Sequence, residues 1–398
     1  MSDQTSRATL RRRTDAALIV IFLVLIWLPT ADTFLHLDRT AAPTENRTPA
    51  RFPTFQRSLR GAREFFAGLD SYFSDHFGFR KRLVRWEQRW KWQIFRDSKS
   101  STAIAGSNGW LYFSGGMMIE DVMGSRPFTE AELRNWRELL AGRRDWLAER
   151  GIRYLFVIAP DKHTIYPEHL PEWLAADARP QRRRDQFVNY MSANSDVPIL
   201  DLRDTLLTEK KIARVYRPTD THWNDRGAFA AYRRIVQRLS SRDTPLAPLD
   251  LSEFQTLTVD RPAGDLARML GWEGFLNENG TLLIEPRAHL PLIPPRAEAI
   301  ADRQWIPGTE PQVTENPTKT GRVVMFRDSF ASLLIKFLGY DFNRVVYLWR
   351  QNWDKELIER ERPDIVIDEM IERSLISRDP AELKIKDDQP AVQVFGER

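Results

Sequence analysis

The chain has no cysteine, which excludes disulfides, thiolate metal sites and cysteine nucleophiles together. Histidine is scarce, with only 6 residues, so an imidazole base has few candidates. No charge of one sign dominates: 59 Lys and Arg against 55 Asp and Glu leave a net charge of +4. That balance does not point to nucleic acid, although an acidic polysaccharide is compatible with it. Internal repeats and low-complexity tracts are also lacking. What the chain does have is apolar matter: 42 % hydrophobic residues, including 13 Trp, in 398 residues. That is enough for one large domain with appendages, or two smaller ones.

Only one long hydrophobic run occurs. Arg7, Arg11, Arg12 and Arg13 precede an uncharged stretch from Ala16 to Ala31, with its core at Leu18–Leu28. Such a run is short for a bilayer, which takes ~20 apolar residues, and resembles the core of a signal peptide. Pro29, two residues before Ala31, spoils the small-residue cleavage pattern, and Phe34, Leu35 and Leu37 extend the apolar character. The segment therefore reads as an uncleaved transmembrane or signal-anchor helix over 16–37, with a cleaved signal as the alternative. Either way the basic segment 1–15 lies in the cytoplasm and the remainder outside, anchored to the inner membrane or periplasmic. Residues 38–58 are polar and rich in Pro and Thr, a linker. Over 59–96 aromatic and apolar residues recur at helical spacing (Phe65, Phe66, Leu69, Tyr72, Phe73), interrupted near Gly78, as in a helical stalk.

The body, 97–390, alternates strand and helix signals. Thr129 and Glu132 form a capping box for a helix running to Gly151. Tyr154–Ala159, Ile199–Leu202, Val323–Phe326, Arg344–Leu348 and Pro363–Asp368 read as strands. Helices are expected around Arg182–Ala193, from Gly227 to Leu239, and after Ser329. This alternation predicts an α/β fold with a parallel sheet flanked by helices. Leu290–Thr320, with six prolines, reads as a long surface loop.

Two short pieces carry the chemistry. Asp220-Thr-His-Trp223 offers a carboxylate two residues before an imidazole, and Asp328-Ser-Phe330 offers a hydroxyl just past an apolar strand. An α/β sheet presents its reactive groups at the carboxyl ends of its strands. A serine hydroxyl needs a positioned base, and the base needs an orienting group. Ser329 as nucleophile, His222 as base and Asp220 as orienter would meet that need. Each also has a plain structural reading: Ser329 as a helix N-cap, His222 as a core histidine beside Trp223, Asp220 as a turn cap with Asp225 as alternative orienter. Asp328 is expected to bond loop amides. Lys162, Tyr166 and Arg350 sit just past strands and are candidates for binding substrate, whereas His163 and His169 read as surface residues. No metal-ligand constellation or second cofactor site stands out.

The pieces Asp75-His-Phe-Gly-Phe-Arg80, Gly109-Trp-Leu-Tyr112, Pro160-Asp-Lys162 with Tyr166-Pro-Glu168, Asp220-Thr-His-Trp223 and Asp328-Ser-Phe330 occur in that order. In this arrangement the chain resembles the SGNH-hydrolase-like polysaccharide O-acetyltransferases of the alginate type, the AlgJ and AlgX group, over roughly residues 60 to 378. The resemblance implies an O-acetyltransferase that moves acetyl through a serine acyl-enzyme onto an extracytoplasmic polysaccharide, with Asp and His preceding Ser in the chain, as they do here. It further implies a membrane-bound O-acyltransferase as acetyl supplier. A polysaccharide acetylesterase using the same residues, or a non-catalytic assembly scaffold, are the alternatives. The chain departs from the SGNH pattern at Arg327, where Gly usually precedes Asp-Ser, and the oxyanion hole is left unassigned.

Overall fold

The computed structural model describes residues 102–179, 181–273, 276–298, 310–349 and 353–387 of one compact unit. Of a second, amino-terminal unit it describes 50–55 and 57–79, with residues 15–24, 27, 28, 31, 32, 35 and 82, and the elements counted below are those of the described residues. In the latter, α1 (Leu59–His76) is capped by the Ser58 hydroxyl, which accepts from the Gly61 amide at 2.9 Å. The helix ends at Phe77, just before Gly78 and a left-handed Phe79. That is the interruption expected from the sequence. Residues 15–24 are helical with exposed side chains, but no described helix is long and apolar enough to cross a membrane. The anchor expectation over 16–37 is therefore without support here, and much of that segment lies outside the described residues. The second half of the expected stalk does too.

The larger unit is built on eleven strands. In chain order they are β1 (Ala103–Ala105), β2 (Leu111–Phe113), β3 (Arg153–Ala159), β4 (Ile199–Asp201), β5 (Phe254–Pro262), β6 (Asn277–Pro286), β7 (Arg296–Ala297), β8 (Gln312–Glu315), β9 (Arg322–Arg327), β10 (Arg344–Trp349) and β11 (Ile365–Ile371). Seven of them form the central sheet in the order β4-β3-β11-β9-β10-β8-β7. The first five are mutually parallel. β8 and β7 run antiparallel at one edge, so the sheet is mixed, not wholly parallel as the alternation suggested. Those two strands come from the proline-rich 290–320 stretch, which is not simply a loop.

Period-2 side-chain alternation puts the strand residues on two faces. Leu155, Val157, Met325, Val345 and Ile367 pack on one face, and Tyr154, Phe156, Val324, Phe326 and Val366 pack on the other. The second face is covered by α2 (Glu130–Ala148) and α3 (Arg183–Asn194), through Trp136, Leu139, Leu140 and Phe187. α2 opens with the full Thr129–Glu132 capping box. The first face is covered by α4 (Asp225–Leu239), whose Asn224 cap accepts from the Gly227 amide at 3.0 Å. Burying both faces of the parallel strands explains why they read as continuous apolar runs.

Two antiparallel pairs stand outside the sheet, β1–β2 and β5–β6. β1 and β2 are joined by a turn with Asn108 and Gly109 at positive φ, as the Ser-Asn-Gly sequence anticipates. The β5–β6 hairpin spans 254–286 between the two motif pieces.

Candidate active site

Ser329 lies just past the carboxyl end of β9, at the start of a single 3-10 turn (Phe330–Leu333). Its hydroxyl makes no capping bond. The neighbouring carboxylate does the local work: Asp328 Oδ1 accepts from the Phe330 amide (2.9 Å) and Oδ2 from the Ile371 amide (2.7 Å). The Asp328 amide donates to Glu369 Oε2 at 3.0 Å. Asp328 thus bonds loop amides as expected, tying the ends of β9 and β11 together. Burial pushes both the Asp328 and the Glu369 carboxyl above their ordinary range. Because Asp328 holds the Phe330 amide, that N–H is not free to act as an oxyanion donor.

Arg327, the departure from the SGNH pattern, closes the same turn from behind. Its buried guanidinium lies 4.4 Å from the Trp349 ring centre, and Nη1 donates to the Asp328 carbonyl and to Ser332 Oγ, both at 3.1 Å.

His222 sits in the loop before α4. Its Nδ1 is 2.7 Å from Asp220 Oδ1, and the same oxygen accepts the His222 amide at 3.0 Å. Asp220 Oδ2 accepts from Arg217 Nη1 at 2.8 Å. Burial pushes the Asp220 carboxyl up, but the hydrogen bond and charge of His222, with Arg217 beside them, outweigh it and hold the group well below the usual carboxylate range. An ionised carboxylate only accepts, so Nδ1 carries the hydrogen and Nε2 is left with a free lone pair. Nε2 is buried and has no hydrogen-bond partner among the described residues. Asp225, the alternative orienter, lies elsewhere: its Oδ2 takes Lys336 Nζ at 2.7 Å and the Ile284 amide at 3.0 Å.

His222 and Ser329 line one cavity of about 260 Å³, together with Asp220, Phe330 and the hairpin residues Arg261, Thr281 and Leu283. The two halves are locked by Trp223, whose indole N–H donates to the Phe330 carbonyl at 3.0 Å. The His222 and Phe330 ring centres are 5.0 Å apart.

The remaining candidates fall differently. Lys162 is fully buried, its ammonium donating to the carbonyls of Leu111 (2.9 Å) and Pro218 (3.0 Å). Burial brings its pKa down to about 7, against the opposing pull of Asp220 and Asp265. The Tyr166 hydroxyl accepts from the Val215 amide at 2.9 Å, and its ring stacks on Trp110. Neither lines the cavity; both brace the 215–222 loop that carries Asp220 and His222. Arg350 lies outside the described residues. His163 is not a surface residue: it is 1 % exposed, and burial pushes its pKa well below the ordinary imidazole value. His169 is half-buried against Trp110.

Sequence reasoning passed over Asp265, the first residue of α5 (Asp265–Met269). Its Oδ1 accepts the Thr221 amide at 2.7 Å and its Oδ2 the Thr221 hydroxyl at 2.6 Å. Donor atoms of Asp220, His222 and Asp265 lie within 4.8 Å of one another, a spacing that also suits an ion. Here the oxygens are taken up by N–H and O–H donors, so the cluster is read as a hydrogen-bond network. The signal missed was a lone Gly-Asp after a β-hairpin strand, which has nothing in its own sequence to mark it.

Fold and site together describe an α/β domain similar to the SGNH-hydrolase-like class. Residues 103–283 match the family described as SGNH hydrolase-like domain, acetyltransferase AlgX, a stretch that takes in Asp220 and His222 and ends before Ser329. The chain is 26 % identical over 187 residues to a protein of Pseudomonas aeruginosa named "Probable alginate O-acetylase AlgJ", covering 46 % of this chain and 45 % of that one. It spans about half the length of the curated relatives it matches. Among solved structures it superposes on Bacillus cereus PatB1 with a TM-score of 0.51 at 18 % identity, covering 69 % of this chain and 96 % of that one. A DHHW family protein from Eubacterium siraeum gives 0.50 at 14 % identity, covering 72 % and 96 %. The resemblance drawn from the motif pieces is borne out by these matches.

Proposed function

We infer that the chain is an O-acetyltransferase working through an acyl-serine. The observation that carries this is His222: Nδ1 is held by Asp220 while the buried, unpartnered Nε2 belongs to a side chain lining the same cavity as Ser329. In the first half-reaction His222 takes the Ser329 proton as Oγ bonds the acetyl carbonyl carbon. The tetrahedral adduct collapses and the donor group leaves with that proton. In the second, an acceptor hydroxyl gives its proton to His222 and attacks the acyl-serine, and Ser329 recovers the proton as its Oγ–acyl bond breaks. The names of the relatives support acetyl as the group moved and a polysaccharide as acceptor. On this reading the body works outside the cytoplasm beside the inner membrane, supplied by a membrane-bound O-acyltransferase, and Arg350 is a candidate substrate contact.

The test is a chromogenic acetyl ester mixed with the full chain and followed by intact-protein mass spectrometry. A burst of one acetyl per chain, mapped to the peptide around Ser329 and absent in Ser329→Ala, is expected. An oligosaccharide acceptor should then speed the slow phase and leave the burst size unchanged. Turnover indifferent to acceptor would make the protein an acetylesterase, and a chain that takes no acetyl would be a scaffold.

A further inference from the structure

His222 is held by more than one carboxylate. Thr221 Oγ1 lies 3.1 Å from His222 Nδ1 and 2.6 Å from Asp265 Oδ2. A hydroxyl has one hydrogen, and the short contact to an acceptor-only carboxylate claims it. Toward Nδ1, Thr221 therefore presents a lone pair, so the Nδ1 hydrogen is shared between Asp220 Oδ1 and Thr221 Oγ1. Asp265 Oδ2 itself stands 3.7 Å from Nδ1, which is Coulombic range. The two carboxylates also grip consecutive amides, Asp265 that of Thr221 and Asp220 that of His222.

We propose that Asp265 is a second positioning carboxylate for His222, acting through the Thr221 hydroxyl to fix the imidazole tautomer and to stabilise the imidazolium that forms at each proton transfer. This rests on the acyl-serine reading for its catalytic consequence, but not for its geometry. Asp265 is brought there by Gly264, whose amide donates to Thr219 Oγ1 at 2.8 Å, and by the Ala267 amide, which donates to the Thr219 carbonyl at 3.2 Å. Other charges reach the imidazole from the elements around it. Arg217 on the same loop is paired with Asp220 and, on β6, with Glu278. Lys162 is buried beneath the Pro218 carbonyl. Arg373 lies over the Phe330 ring, 5.2 Å from its centre. Arg261 and Asp225 stand on the cavity wall, Asp225 paired with Lys336. Asp265 differs from all of these in acting on Nδ1 itself, through one shared hydroxyl.

The discriminating experiment compares Asp265→Asn, Thr221→Val and Thr221→Ser with the parent by NMR titration of the His222 ring, alongside pH profiles of ester turnover. Removing the Asp265 charge should lower the His222 titration midpoint by about one pH unit, the scale set by a unit charge at ~4 Å in a water-like medium. The acidic limb of kcat/KM should move to lower pH with it, while the plateau falls roughly tenfold, a fraction of what base catalysis supplies. Thr221→Val leaves the Asp265 charge in place, so it should lower the plateau as Asp265→Asn does while moving the midpoint less, and Thr221→Ser should restore the parent. In Asp220→Asn/Asp265→Asn the loss should exceed the product of the single losses, because each carboxylate covers in part for the other. A folded Asp265→Asn with an unmoved midpoint, a folded Thr221→Val with parental turnover, or a double loss equal to that product, would overturn the proposal. The titration needs no turnover, so a parent enzyme that never acetylates Ser329 would sink the acyl-transfer reading while still leaving this one decided.

Discussion

Trp223 and Phe330 are joined by a single hydrogen bond, from indole N–H to main-chain carbonyl at 3.0 Å. Each is the immediate neighbour of a proposed catalytic residue, Trp223 of His222 and Phe330 of Ser329. Two segments far apart in sequence thus owe part of their mutual position to a contact that performs no chemistry. Trp223 is fully buried, so water cannot replace the bond if it is lost.

Trp223→Phe should therefore lower Tm, with about 1–3 kcal/mol lost for the carbonyl left unpaired. Acylation of Ser329 should slow by more than that loss of stability explains, as the base drifts from the hydroxyl. Stopped-flow measurement of the burst, with Tm by calorimetry, checks both. An unchanged burst rate would show that other contacts set the alignment.

Gly264 packs against Asp220 so closely that an added Cβ would stand 2.4 Å from the Asp220 Cβ and 2.6 Å from its Oδ2. Its φ of −80° is open to any residue, so the demand for glycine is one of space. Gly264→Ala should cost roughly 1–3 kcal/mol as an overpacking change, and it should move Asp220. A variant that folds at the parental Tm with full turnover would contradict this account.

Within the proposed triad, Ser329→Ala and His222→Ala should each remove nearly all turnover, since a nucleophile and its base act as a unit. Asp220→Asn should leave more, because the Thr221–Asp265 arm still restrains the ring. Initial rates on a small acetyl ester give the order. Equal and small losses in all three would move the chemistry elsewhere.

A pH effect on stability should come from Glu372, just past β11. Burial raises its carboxyl to about 7 from an ordinary 4.5, against the pull of Arg184. Between those values the folded state holds the proton and the unfolded state does not, so this contribution is full below pH 4.5 and is lost as pH rises through 7. Glu372→Gln, which keeps an acceptor for the Asp161 amide (2.7 Å from Oε2), should flatten the fall in Tm across that window. A slope identical to the parent's would assign it to other groups.

The sequence made some of this legible for definite reasons. β3, β9 and β10 are buried on both faces, so each leaves a continuous apolar run, and β11 leaves the shorter Ile365–Ile367 before the buried Asp368 and Glu369. Asp220, His222 and Ser329 stand in short pieces whose residue types suit one chemistry. The β5–β6 hairpin left no such trace: β5 is exposed at most of its positions, so neither alternation nor a continuous apolar run develops. β7 and β8 were hidden by the prolines around them, because an edge strand tolerates a composition that looks like loop. Lys162 and Tyr166 stood out correctly as unusual residues past a strand, but a buried ammonium can serve carbonyls as readily as a ligand. Asp265 could not be found, because what makes it matter is a hydroxyl on another segment.

One wall of the cavity comes from the β5–β6 hairpin, which contributes Arg261, Thr281 and Leu283 yet pairs with no strand of the central sheet. Ser329 and this wall therefore stand on separate foundations, whereas the loop of Asp220 and His222 is held by Gly264, Asp265 and Glu278 of the hairpin segment. The hairpin can lengthen, shorten or exchange its inward residues without disturbing the strands that hold Ser329, and without shifting the register of the core. On the acyl-transfer reading, proteins built on this sheet with the same three proposed reacting groups are thereby free to diverge in what they acylate. Exchanging the hairpin between two of them is the direct way to carry a preference from one to the other.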